Sequence, residues 1–166
     1  MRTTTAEKLR AFLAHSPFMA NLTAALESKI SIAMIVGVVD DASTIREMFG
    51  AVSCEGALEI IQQMLHERFG DYSVRGGDTF LILVTGDVAT KAGGIAESVR
   101  ATVETISPAL DEHFRVTMHF GVTRASSHWT NANGFCELLE SADEAIVAGQ
   151  RKLVANRVYA PIGRLE

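Results

Sequence analysis

The sequence predicts an α+β sandwich, in which a mostly antiparallel sheet of about five strands is flanked by helices. The first observation behind this prediction is the order of elements, which reads helix, strand, helix, helix, hairpin, helix, strand, helix, strand. The second is a tight hairpin signal at Gly76-Gly77 in the middle of that order. The third is size, because 166 residues with 48% hydrophobic content suit one domain with one sizeable core.

The first elements are helical, and a strand follows them. Apolar positions in residues 6–28 recur at helical spacing, with a break at His15. Ser16 suits an N-cap and Pro17 the first helical position, so we expect two helices with a bend between them. Residues 31–39 form a continuous apolar run of strand length, which indicates a buried central strand.

Two helices are expected before the hairpin. Residues 43–49 fit a short helix after Asp40-Asp41 ends the strand. Residues 54–69 form the clearest amphipathic helix, whose apolar stripe comprises Ala57, Ile60, Ile61, Met64 and Leu65.

The second half of the chain continues the alternation of strands and helices. Pro108 is expected to end a helix whose apolar face carries Ile95, Val99, Val103 and Ile106. The predicted elements are hairpin strands at 71–74 and 81–84, a helix at 89–107, a strand at 115–122, a helix at 134–153 and a short strand at 158–159.

Composition excludes several classes of function. The net charge of −5 and the pI of about 5.5 argue against a nucleic-acid-binding surface, which would show clustered Lys and Arg. No apolar run approaches the roughly 18 residues of a membrane span, and the N-terminus shows no signal-peptide core. Cys54 and Cys136 lack metal-ligand spacing, so they are interpreted as reduced packing residues of a cytoplasmic protein.

The hairpin segment Gly76-Gly77-Asp78-Thr79-Phe80 resembles the Gly-Gly-Asp-Glu-Phe signature of bacterial GGDEF domains, which make cyclic di-GMP from GTP. Gly-Gly-Asp is also a common sequence in hairpin turns, so the choice between a family signature and a plain turn depends on the rest of the chain. Four further landmarks resemble the family in its order: Phe49-Gly50, Phe120-Gly121-Val122, Ala142-Asp143-Glu144-Ala145 and Asn156-Arg157-Val158. The resemblance implies a nucleotidyl-cyclase-like fold with a ferredoxin-like core over residues 30–166, preceded by a helical segment at 1–29.

The resemblance also implies that the catalytic pocket is degenerate. Val38 stands where the family has a metal-binding Asp, and Thr79 replaces the second carboxylate of the signature. Arg46 and Glu55 occupy the guanine-reading positions, and Gln150 that of a phosphate-binding Lys. One such donor or metal ligand is typically worth about 2–4 kcal/mol in the transition state. Several losses together predict a catalytically inactive domain.

A residual cation site remains open as an alternative. On a regular strand Asp40 points to the same side as Val38, so Asp40 or Asp41 together with Asp78 are weak candidates to hold Mg²⁺ loosely. The plainer interpretation is a solvated acidic strand end. We therefore expect no cofactor, and Mg²⁺ only if cyclase activity persists.

A second ligand site is suggested by the pattern Arg-x-x-Asp. In many cyclases of this family such a motif before the signature binds cyclic di-GMP as an inhibitor. Arg68 and Asp71 fit the pattern one residue closer to Gly76 than the family places it, and Arg75 would add a second cation. Arg is suited to bidentate phosphate binding. The plainer alternative is an Arg that favours the helix dipole at a helix C-terminus.

The resemblance thus implies a signalling domain that acts by binding a partner protein, a second copy of itself, cyclic di-GMP or another nucleotide. Two alternatives stay open: a weak diguanylate cyclase, and an unrelated ferredoxin-like domain with a fortuitous hairpin. His119, in the penultimate predicted strand, is interpreted as a hydrogen-bonded structural residue rather than a ligand.

Overall fold

The computed structural model of the protein describes residues 11, 13–110, 115–124, 140, 141, 144, 158 and 159, which contain a sheet and the helices packed against it. Its helices are α1 (Pro17–Glu27), α2 (Ala42–Phe49), α3 (Ala51–Phe69) and α4 (Ala92–Leu110). Its strands are β1 (Ile32–Val39), β2 (Ser73–Gly76), β3 (Thr79–Thr85), β4 (Met118–Arg124) and β5 (Val158–Tyr159).

The five strands form one sheet in the order β2-β3-β1-β4-β5. The pairs β2–β3, β3–β1 and β1–β4 are antiparallel, and only the short β5 runs parallel to β4. The first four strands therefore have the order of a ferredoxin-like core. This confirms the predicted α+β class, the mostly antiparallel sheet and the number of strands.

Strand β1 is apolar along its length because both of its faces are covered. Ala33 and Ile35 pack with residues of α3 and α4, whereas Met34 and Val36 pack with residues of α1. A sheet covered on both sides selects continuous apolar runs rather than alternating ones. The prediction of a buried central strand is confirmed, and the described part of the chain has three layers: α1, the sheet, and the other helices.

Helix α1 begins as its sequence predicts. Ser16 is the N-cap, and its hydroxyl oxygen accepts a hydrogen bond from the Met19 N–H at 3.2 Å, with Pro17 in the first helical position. Phe18 and Leu22 are buried against the sheet. The residues that precede the domain boundary predicted at 29 thus cover one face of the sheet. The helix expected before Ser16 and the helix expected at 134–153 lie largely outside the described residues.

The helix boundaries require corrections. Helix α3 begins at Ala51, and Ile60, placed on its inner stripe, is 43% exposed. A 3.6-residue period that starts from Cys54 adds Leu58 to the buried face, where Ile61 lies as predicted. None of the helices in the described part of the chain is both long and apolar enough to cross a membrane.

Helix α4 differs from its prediction at both ends. It begins at Ala92, because Gly86–Lys91 forms a 3₁₀ turn. It continues through Pro108 to Leu110, so the expectation that Pro108 ends the helix is wrong. Proline removes one backbone hydrogen bond, but its fixed φ is itself helical, and near a helix end the chain tolerates that loss.

Two strands start later than expected, each because the preceding residues make other bonds. The first hairpin strand begins at Ser73, since Gly70–Tyr72 forms a 3₁₀ turn. Strand β4 begins at Met118, because the Val116 N–H bonds to the Ser107 hydroxyl at 2.6 Å instead of to another strand.

The hairpin turn contains only Gly77 and Asp78, since Gly76 and Thr79 already pair across the strands. Gly77 has φ +63°, and Asp78 has no positive φ. A positive φ at the first central residue alone is the pattern of a type II′ turn, whose twist matches that of antiparallel strands. Gly77 is therefore the residue of the signature segment that must be glycine for the fold.

We predict opposite effects of one chemical change at two glycines. Gly77→Ala should lower the free energy of unfolding by about 1–2 kcal/mol, because an L-residue is strained at positive φ. Gly56→Ala, in the middle of α3 with open space around its Cβ position, should raise it by about 0.5–1 kcal/mol. Urea denaturation of both variants measures the difference. Shifts of the same sign would contradict this assignment of the turn.

Candidate functional site

The candidate site lies where β1 ends and the hairpin turns. Because β1 and β3 are antiparallel, Val38 at the end of β1 pairs with Thr79 at the start of β3. Helices α2 and α3 follow β1 directly and bring Arg46 and Glu55 to the same edge, where they contact the hairpin. The structure thus brings together the positions that the resemblance implied, except Gln150, which lies outside the described residues.

Asp78 at the hairpin tip is bound by Arg46. Nη2 of Arg46 lies 2.7 Å from Oδ1 of Asp78, and Nη1 lies 3.3 Å from Oδ2. The hydrogen bonds that Arg46 donates to the Asp78 carboxylate raise the pKa of Arg46. Each side chain of this pair is 38% exposed. The carboxylate expected to face a metal is therefore occupied on both oxygens by a guanidinium from the guanine-reading position.

A second ion pair fastens the hairpin to α3. Nη2 of Arg75 donates to Oε1 of Glu55 at 2.7 Å, and Nε of Arg75 donates to the Gly77 carbonyl at 2.7 Å. The Arg75 side chain is only 12% exposed, so it lies flat between the hairpin and the helix. Glu55, the other guanine-reading position, is thus also bound by an Arg of the same chain.

Val38 and Thr79 contribute no carboxylate to this edge. Val38 is partly buried against the α1 side of the sheet, beside Leu81 and Val36. An aliphatic side chain offers no oxygen, whereas Mg²⁺ requires oxygen ligands.

Asp40 is buried, and both of its carboxylate oxygens contact side chains near the start of β4. Its side chain is 7% exposed, with Oδ1 lying 2.5 Å from Nδ1 of His119 and Oδ2 accepting from the Thr117 hydroxyl at 2.7 Å. Its backbone N–H donates to the Thr117 carbonyl at 2.9 Å. Asp40 therefore links the end of β1 to the segment that enters β4. The interpretation of His119 as a hydrogen-bonded structural residue is confirmed.

The donor set does not fit the Mg²⁺ site that the resemblance implied. Both oxygens of Asp40 and both of Asp78 are engaged by other side chains. Asp41 adopts a left-handed φ of +55° as it leads into α2. In the described ranges, no three His, Cys, Asp or Glu side chains are placed to share a metal ion.

The Arg-x-x-Asp pattern lies at the far end of α3. Nη1 of Arg68 donates to the Ser98 hydroxyl of α4 at 3.1 Å, and its guanidinium lies 5.0 Å from the centroid of the Phe69 ring. The Asp71 carbonyl accepts from the side-chain amide of Asn21 in α1 at 3.3 Å. Arg68 and Asp71 thus remain neighbours along the chain, but they contact different helices.

Arg75 does not join this second group. It is bound to Glu55, and Glu55 and Arg68 lie about 20 Å apart along α3 at roughly 1.5 Å of rise per residue. Asp71 instead lines a small cavity of about 190 Å³ between α1 and α3, together with Phe18, Leu65, His66 and Phe80. The structure therefore places the Arg75 guanidinium beside Glu55, near the opposite end of α3 from Arg68.

The two ion pairs and the contact of Thr117 with Asp40 were not predicted from the sequence, in which Arg46 and Glu55 indicate only a loss of guanine contacts. A signal for the pairs was present, because Arg46 and Asp78 carry opposite charges at positions that the resemblance itself brings together. No signal identified Thr117, since its contact with Asp40 depends on how β4 aligns with β1.

No protein-family profile matches the chain, and no curated protein matches it either. Solved structures do match. The GGEEF domain of a diguanylate cyclase from Vibrio cholerae is 18% identical with a TM-score of 0.70, over 86% of this chain and 90% of that one. The GGDEF domain of DgcB from Caulobacter crescentus, in complex with c-di-GMP, is 17% identical with a TM-score of 0.71, over 86% and 82%.

A further match is the diguanylate cyclase SiaD from Pseudomonas aeruginosa, solved with its activator SiaC. It is 20% identical with a TM-score of 0.70, over 93% of this chain and 57% of that one. At these identities the similarity establishes the fold. The chain therefore has the fold of diguanylate cyclase GGDEF domains, and the resemblance drawn from the hairpin segment is confirmed at that level.

We predict that the two aspartates of the candidate site differ in their effect on stability. Asp40→Ala should lower the free energy of unfolding by about 2–4 kcal/mol, because buried His119 and Thr117 lose their acceptor. Asp78→Ala should cost less than about 1 kcal/mol, because its ion pair with Arg46 is partly exposed. Thermal and urea denaturation give both values. A larger loss for Asp78→Ala would reverse the assignment of structural and surface roles.

Proposed function

We propose that this chain is a catalytically inactive GGDEF-like signalling domain that acts by binding. The observation that carries the proposal is the ion pair between Arg46 and Asp78. At the edge where the family draws its metal and guanine contacts, side chains of this chain neutralise one another instead.

The ion pair by itself is too weak to prevent metal binding, so the proposal depends on the charge of Arg46. A partly exposed pair of this kind contributes no more than about 1 kcal/mol, so Asp78 can be released at little cost. The Arg46 guanidinium stays at the site after that release, and its positive charge repels a divalent cation. Val38 supplies no oxygen to offset that repulsion. The reaction requires a divalent cation to ionise the attacking hydroxyl and to offset the triphosphate charge.

The binding role extends to this chain what two similar structures are described as doing. DgcB was solved in complex with c-di-GMP, and SiaD in complex with its activator SiaC. A protein partner, self-association and a nucleotide ligand are all within this proposal, as are the cytoplasmic location and the absence of a cofactor expected from the sequence.

We predict that the purified protein does not make cyclic di-GMP. Incubation with GTP and either Mg²⁺ or Mn²⁺ should yield no more product than a boiled control, because Val38 supplies no metal ligand and Arg46 binds the Asp78 carboxylate. Product is measured by chromatography and mass spectrometry. An active GGDEF domain assayed in parallel is the positive control.

The opposite outcome would identify the alternative function. Multiple turnover by the wild type that is lost in Asp78→Ala would establish a weak diguanylate cyclase and overturn the proposal. Turnover that persists in Asp78→Ala would indicate a contaminating enzyme, and a second purification would then be compared.

We predict further that cyclic di-GMP binding depends on Arg68 and not on Arg75. Loss of one charge-assisted contact in Arg68→Ala should weaken binding about tenfold to hundredfold in calorimetric titration. Arg75→Ala removes the same chemical group where it pairs with Glu55, near the other end of α3, and should leave the affinity unchanged. Equal losses in both variants would contradict this location. A wild type that does not bind would leave the protein-binding role alone.

A further inference from the structure

The outer surface of α2 and α3 carries an apolar ridge. Val52 is 88% exposed and Met48 is 70% exposed, and Phe49 and Ile60 are each more than a third exposed. Gly56 lies between Val52 and Ile60, four residues from each, with no atom near the position of a Cβ. We call these residues the α2–α3 ridge: Met48, Phe49, Val52, Gly56 and Ile60.

The internal packing of the domain does not account for this ridge. The inner faces of the two helices already supply Ile45, Cys54, Leu58 and Ile61 to the core. A valine at a fully exposed helical position is a weaker helix former than Ala, Lys or Glu and buries no apolar area. Several exposed large apolar side chains on two consecutive helices are typical of an interaction site.

The rim of the ridge is acidic. Between positions 47 and 67 the sequence has no Lys or Arg, and its four acidic residues are Glu47, Glu55, Glu59 and Glu67. Glu55 is bound by Arg75, and Glu67 accepts a hydrogen bond from Gln63, which carries no charge. Within the part of the chain that the structure describes, Glu47 and Glu59 have no ion-pair partner. The rim therefore has a negative charge that this chain does not neutralise there.

We propose that the α2–α3 ridge is a docking surface for a basic amphipathic helix of a partner protein. Such a helix presents apolar side chains at i, i+3, i+4 and i+7, which match the apolar anchors of the ridge, and Lys or Arg beside them, which match the acidic rim. The absence of a side chain at Gly56 leaves room for a bulky anchor between Val52 and Ile60.

A second copy of this chain does not fit the same surface. The chain carries a net charge of −5, and two ridges placed face to face would bring the acidic rims against each other. Like charges in close apposition across an interface are strongly unfavourable. Charge complementarity therefore favours a basic partner over self-association here.

This surface deepens the proposed function, on which it rests for the premise that the domain acts by binding. The proposed function and the docking surface are overturned by different results. Cyclase turnover overturns the proposed function without touching the ridge, whereas peptides that bind elsewhere on the protein overturn the ridge and leave a binding role in place.

A peptide-display selection tests the surface without knowledge of the partner. The full chain is immobilised and presented with a library of random peptides long enough for about four helical turns. Binders that also bind Val52→Glu are removed. The remaining sequences should be rich in Lys and Arg, with apolar residues at helical spacing. Remaining sequences without that charge bias, or none at all, would overturn the proposal.

Synthetic peptides from the selection then allow a measurement of affinity by fluorescence anisotropy. Val52→Glu should weaken binding at least about tenfold, since it removes a central apolar anchor. Val88→Glu is the matched control: Val88 is 49% exposed in a different element, and its substitution should leave the affinity unchanged. The melting temperatures of both variants show whether each is folded.

Charge reversal distinguishes electrostatic recognition from nonspecific hydrophobic binding. The double variant Glu47→Lys, Glu59→Lys should lose affinity for the basic peptide and gain affinity for a peptide in which each Lys is replaced by Glu. Equal binding of both peptides to both proteins would overturn the proposal. A wild type that sediments as a dimer, and as a monomer when it carries Val52→Glu, would assign the ridge to self-association and overturn it as well.

Discussion

Strand β1 lies at the centre of the sheet, hydrogen-bonded to β3 along one edge and to β4 along the other, with apolar side chains on both faces. This double pairing determines which residues meet at the end of β1. It brings the start of β3, and with it the hairpin tip, to the end of β1. Because α2 and α3 follow β1 without a long connection, the same edge also receives Arg46 and Glu55. The candidate site is a consequence of how the central strand is paired.

The end of β1 carries two layers of polar contacts with different roles. The inner layer is the buried carboxylate of Asp40, which joins β1 to Thr117 and His119 and sustains the edge on which the site is built. The outer layer consists of the pairs Arg46–Asp78 and Arg75–Glu55, which are partly exposed and hold the hairpin against the helices. Burial makes the inner contacts important for stability, whereas solvent makes the outer ones weak and exchangeable.

Most of the fold was predictable from local pattern. The continuous apolar run at 31–39, the Ser16-Pro17 helix start and the Gly-Gly hairpin each reflect a constraint within a few residues of sequence. The errors arose where the residues made contacts other than those of the predicted element. The Ser107 hydroxyl takes the Val116 N–H and delays β4, and the Gly86–Lys91 turn delays α4. Ile60 was assigned to the apolar stripe of α3, but it is exposed, and the helix buries Leu58 beside Ile61 instead.

The sequence by itself determined the fold class, the order of elements and which positions form the edge at the end of β1, because periodicity, turn chemistry and signature spacing are properties of the chain. Only the tertiary structure decided what the side chains at that edge do. Arg46 and Asp78 are 32 residues apart in the chain, and Asp40 and His119 are 79 apart. Whether a carboxylate faces a cation, an arginine or a buried histidine depends on which strands pair and in what register. Contacts between residues so far apart in the chain are determined when the sheet forms, and no local pattern in the sequence records them.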